Sequence, residues 1–72
     1  MRYVVEVELE ADGRWIAEVG ELPGVLAYGK TREGAISAVE ALALRVLADR
    51  IEHGELGPSP SISFDTTPSA AE

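Results

Sequence analysis

Cysteine is absent from this chain, which excludes disulfides and thiolate metal sites. Aromatic residues are sparse, with one Trp, two Tyr and one Phe, and no apolar run approaches the roughly 20 residues a membrane-spanning helix needs. Basic residues are also few. Six Lys and Arg stand against thirteen Asp and Glu, a formal charge of −7 that opposes approach to a polyanion. Direct nucleic-acid binding by this chain alone is therefore not expected, whereas a basic protein partner is. The chain opens on a strand pattern rather than on a basic segment followed by an apolar one, so a cytoplasmic protein with no membrane association is expected. Its 72 residues allow one domain with a thin core, because a chain this short buries only about 60% of its unfolded surface. With no disulfide to support that core, a homodimer, a higher homo-oligomer or a binding partner is expected to do so.

What is present is organised around Thr31 to Gly54, a long amphipathic helical pattern with both ends marked. Thr31 can cap the first turn, Glu33 complements the positive helix end, and Gly54 suits the left-handed residue that closes a helix. Ala35, Ile36, Val39, Leu42, Ala43, Val46 and Leu47 fall on one stripe, with Ser37, Glu40, Arg45, Asp49 and Glu52 off its centre. Gly34 inside the first turns costs about 1 kcal/mol relative to Ala, and close packing against a sheet would account for it. No other segment has comparable helical periodicity, so the cover for the stripe is expected to be a sheet made by the rest of the chain.

Residues 2–10 alternate with period two, Tyr3, Val5, Val7 and Leu9 on one side and Glu6, Glu8 and Glu10 on the other; Trp15, Ala17 and Val19 repeat the pattern. A two-residue Asp12-Gly13 turn would set Glu8 against Ala17 and mix polar with apolar on each face. A three-residue loop of Ala11, Asp12 and Gly13, with Gly13 left-handed, instead pairs Glu10 with Arg14, Leu9 with Trp15, Val7 with Ala17 and Val5 with Val19. The odd-numbered face then lies under the helix. Pro23-Gly24 predicts a type II turn, and Val25 to Tyr28 a short third strand at an edge or in the centre. After Gly54 the run Gly57-Pro58-Ser59-Pro60 cannot continue a helix, and Ser61 to Thr66 predicts a last strand with Ile62 and Phe64 inward. The expected fold is α+β in the order β-β-β-α-β: one domain over residues 1–66, with residues 67–72 a frayed tail.

The series Tyr3, Val5, Val7, Leu9, then Asp12-Gly13-x-Trp15-x-Ala17, then Glu21-Leu22-Pro23-Gly24-Val25, Gly29, Thr31 and Glu33-Gly34-Ala35 resembles the HicB family of antitoxins. Glu40-Ala41-Leu42 and the Gly54-Glu55 exit followed by prolines extend the likeness over most of the chain. The resemblance implies a partial ribonuclease H-like domain, a three-stranded antiparallel sheet packed on one long helix with a further short strand. It also implies a function: neutralising HicA, a small basic messenger-RNA-cleaving toxin, by direct contact in a type II toxin-antitoxin system. Many family members carry a C-terminal DNA-binding domain; this chain stops shortly after the last expected strand, so operator binding through it alone is not expected. Alternative readings are a solitary dimeric domain without a toxin and a divalent-metal nuclease.

Glu6, Glu8 and Glu18 share the outer sheet face in the chosen register, with Glu6 opposite Glu18. Three uses fit them: a solvated face, a toxin-docking surface, or a two-metal nuclease site of clustered carboxylates. The last lacks parts, because no Asp lies in a strand centre and no His stands beside the cluster. No catalytic residue, metal or cofactor is therefore expected. His53, the only histidine, is placed to cap the helix end, and Trp15 belongs by parity to the core. Arg2, Arg14, Lys30, Arg32, Arg45 and Arg50 are scattered among acids and form no basic patch. On the helix, Leu44 and Ile51 lie about 100° or more from the centre of the stripe, beside Ile36 and Leu47. These four are the expected subunit contact, unless the proline-containing tail wraps over them.

Overall fold

The computed structural model describes residues 1–58 and 61–67 of the chain. Strands β1 (Arg2–Leu9), β2 (Trp15–Val19) and β3 (Leu26–Gly29) are followed by helix α1 (Arg32–Glu52) and strand β4 (Ser63–Thr67). The strands form one four-stranded sheet in the order β3-β2-β1-β4. The fold is α+β, with β4 joining the sheet parallel to β1 and the other neighbours antiparallel. The sheet is thus mixed: β1, β2 and β3 form the expected three-stranded antiparallel unit, and the further short strand joins its β1 edge in parallel. Among the described residues no helix is long and apolar enough to cross a membrane.

The hairpin has the register that keeps its apolar set together: Val5 opposite Val19, Val7 opposite Ala17 and Leu9 opposite Trp15. The loop is closed by Glu10 N–H donating to Arg14 O at 2.7 Å, and Gly13 has φ 90°, the conformation that favours glycine there. At the second turn Val25 N–H donates to Leu22 O at 3.0 Å and Gly24 has φ 82°, as a Pro-Gly type II turn requires. The turn also supplies core. Leu22 and Val25 are buried, because Leu22 N–H bonds back to Val19 O and folds the segment under the helix.

Thr31 caps α1 by accepting the Gly34 N–H on Oγ1 at 2.9 Å, and Gly54 (φ 73°) closes it in the left-handed conformation. His53 is the C-cap residue; its Nδ1 lies 2.8 Å from Asp49 O and 3.3 Å from Asp49 Oδ1. Ala35, Val39, Ala43 and Leu47 are buried against Val5, Val7, Ala17, Val19, Leu22 and Val25, with Ile36, Leu42, Val46, Trp15, Tyr3 and Phe64 packed around them. Burying one Val or Leu side chain contributes roughly 1.5–3 kcal/mol, so these few residues supply most of the stabilisation. Two expectations need correction. Leu47 is only 1% exposed and belongs to the core, so it is not part of a subunit contact on the helix surface. Gly34 does not mark the close approach to the sheet. A Cβ there would meet only Thr31 Oγ1 at 3.0 Å, whereas one on Gly29 would lie 2.4 Å from Ala35 N.

β4 begins later than expected and includes Thr67, whose hydroxyl donates to Val5 O at 3.3 Å. Its start is tied to the amino terminus by the Met1 ammonium on Ser61 O (2.7 Å) and Ser63 N–H on Met1 O (2.8 Å). The rest of the expected tail, 68–72, lies outside the described residues.

Candidate functional site

The sheet has two unlike faces because strand side chains alternate and α1 covers only one of them. Glu6, Glu8 and Glu18 all lie on the uncovered face and are exposed. The register sets Glu6 directly opposite Glu18 and Glu8 opposite Ile16, so one acidic pair crosses the sheet centre and a third carboxylate stands beside it in the next row. Following the pairing outward, the first row runs Leu26, Glu18, Glu6, Thr67 and the second Tyr28, Ile16, Glu8. The three sequence-derived residues are therefore neighbours on one surface, with like charges in a directly opposed pair, an arrangement that disfavours folding slightly.

The nearby cations are engaged elsewhere. Arg14 Nε donates to Asp12 Oδ2 at 2.8 Å and its guanidinium lies 4.4 Å from the Tyr28 ring centroid. Arg2 Nε pairs with Asp65 Oδ2 at 3.0 Å across the β1–β4 junction. Among the described residues none of Glu6, Glu8 and Glu18 has a cation within ion-pair distance. Another carboxylate is fixed at the end of the same strands, where Glu21 Oε2 accepts the Val4 N–H at 3.3 Å. The result is a flat, negatively charged surface of exposed oxygen acceptors. Among the described residues no three His, Cys, Asp or Glu are placed to share a metal ion.

The face also holds apolar residues that strand alternation in the hairpin did not single out. Val4 and Ile16 are half-buried, and Leu26 and Tyr28 on β3 are 41% and 45% exposed. On the helix, Leu44 (47%) and Ile51 (38%) are exposed, Ile36 is half-buried against the core, and Leu47 is interior. The expected line of four contact residues reduces to two. Compared with protein-family models, curated proteins and solved structures, the chain matches none.

Proposed function

We propose that the chain is an antitoxin-like binding module that neutralises a small basic RNA-cleaving toxin of the HicA type by direct protein contact, with no chemistry of its own. The observation that carries this reading is the acidic outer face, where Glu6, Glu8 and Glu18 lie together without a cation of their own. The sequence resemblance to HicB antitoxins supplies the class of partner, and the β-β-β-α-β order agrees with it. Uncompensated carboxylates on a rigid sheet attract a basic surface from a distance and hold it in one orientation, an effect seen mainly in the association rate. The overall charge of −7 works in the same direction. Covering the positive surface of a toxin removes what it needs to grip RNA. This reading places the protein in the cytoplasm, where such a toxin meets messenger RNA.

The test is association kinetics with a purified HicA-type toxin at low salt. The double variant Glu6→Lys, Glu18→Lys is expected to slow association by about tenfold or more while leaving the thermal unfolding transition in place. An unchanged rate would take the sheet face out of the interface. Calorimetric titration with magnesium or manganese addresses the nuclease alternative: the docking reading expects no specific heat of binding, and a saturable site would count against it.

A further inference from the structure

The strand at one margin of the sheet is protected only by its shortness and by cations beside it, not by its own residues. Among the described residues β3 has no neighbour beyond it, and its four residues Leu26, Ala27, Tyr28 and Gly29 include no charge and no proline. Natural edge strands are commonly blunted by Lys, Pro or a bulge, because their free N–H and C=O groups pair readily with another strand. The opposite margin is guarded: β4 carries Asp65 in an ion pair with Arg2, and Pro68 follows it in sequence.

Which groups are free on β3 follows from the ladder. Val19 N–H donates to Val25 O at 3.0 Å, so odd-numbered residues of this segment bond to β2 and the even ones face away. Leu26 and Tyr28 therefore direct their N–H and C=O groups outward, and the same two residues expose their side chains on the uncovered face. The inward-facing residues at this margin, Ala27 and Gly29, are small. A strand laid alongside would meet little bulk from them.

We infer that β3 is the self-association edge of this protein, pairing antiparallel with β3 of a second copy about a two-fold axis midway between the two facing Ala27 residues. In this register Leu26 of each copy opposes Tyr28 of the other, and about four main-chain hydrogen bonds form, two at each such pair. The four strands of each sheet join into one of eight. On the outer face Leu26 of one copy packs beside Tyr28 of the other, extending the apolar row in which Tyr28 already lies beside its own Ile16. The occupant is a second copy rather than a basic partner because the seam offers no carboxylate: the charges beside it are cations, Arg14 over the Tyr28 ring and paired with Asp12, and Lys30 after Gly29, while the carboxylates that would recognise cations sit inboard on β1 and β2. The seam is also self-complementary, since Leu26 and Tyr28 are equidistant from Ala27 and exchange places under the two-fold. A 72-residue core without disulfides gains support from the added contact. The joined sheet leaves both acidic faces open, so self-association and toxin docking do not compete.

The experiment is sedimentation equilibrium of the full chain and two variants, with backbone amide hydrogen exchange as a second readout. Wild type is expected to be a dimer. Leu26→Lys puts a charge on the seam but opposite Glu18 within the monomer, so it is expected to weaken the dimer at least tenfold without loss of secondary structure. Leu44→Lys, on the exposed helix surface, is expected to leave the dimer intact. Amide protons of Leu26 and Tyr28 should gain protection with rising protein concentration. A monomeric wild type overturns the inference, and so does a dimer broken by Leu44→Lys but not by Leu26→Lys. Fast, concentration-independent exchange at Leu26 and Tyr28 overturns it as well.

Discussion

The Asp12 carboxylate titrates below its ordinary value of 3.8, chiefly because its Oδ1 accepts the Arg14 N–H at 3.1 Å, an effect that partial loss of hydration opposes and the Arg14 side chain reinforces. A carboxyl group whose folded pKa is depressed adds stability above its unfolded pKa, and loses it as pH falls through the folded value. The variant Asp12→Asn keeps an oxygen for the Arg14 N–H but removes the charge. Urea unfolding at pH 6 should show wild type more stable than the variant, and the gap should close as pH falls below 3.8. A gap independent of pH would mean that the loop is held by shape alone. The sequence showed Asp12-Gly13 as a loop with a glycine hinge. It did not show the carboxylate clasping Arg14, because a residue two positions away is reached only once the loop length is fixed.

Across elements, the junction of β3 with α1 is the tightest point, and the sequence singled out the wrong glycine there. Gly34 drew attention because glycine is a poor helix former, yet it faces outward beside the cap. A Cβ on Gly29 would meet Ala35 N at 2.4 Å, Ala35 Cα at 2.9 Å and Gly34 C at 2.9 Å, all backbone atoms that cannot swing aside. Gly29→Ala should cost about 3 kcal/mol by overpacking, whereas Gly34→Ala should stay within about 1 kcal/mol of wild type, the gain in helix propensity offsetting the tight Thr31 contact. Chemical denaturation of the two variants checks this; equal effects would mean that β3 yields to let the helix move. Propensity was legible because it depends on one residue, while close approach between elements depends on their docking. The hairpin register was legible for the complementary reason: alternation and one loop length left a single way to keep Val5, Val7, Ala17 and Val19 together. Leu22 and Val25 were not recognised as core, since turn chemistry marks Pro23-Gly24 but says nothing of which way its neighbours fold. The acidic face followed from parity. Its apolar margin at Leu26 and Tyr28 depended on the direction of β3, which the turn decides.

For the whole molecule, charge separates the two proposed contacts. The chain carries −7 on a body 40 Å in its longest extent. At about 0.01 M salt the screening length is roughly 30 Å, so most of its charges repel one another; at about 0.1 M it shrinks to about 10 Å. Two copies meeting through β3, whose own residues are uncharged, oppose like net charges and gain no ion pair between those strands. Added salt should therefore tighten self-association and raise the urea midpoint of the monomer, since screening relieves repulsion in both cases. A basic toxin on Glu6, Glu8 and Glu18 meets the opposite situation, and its association should slow as salt rises. Sedimentation and association kinetics from low to about 0.5 M sodium chloride should thus give slopes of opposite sign on one protein. If self-association also weakens with salt, oppositely charged groups hold the copies together, and the uncharged β3 strands are not what joins them.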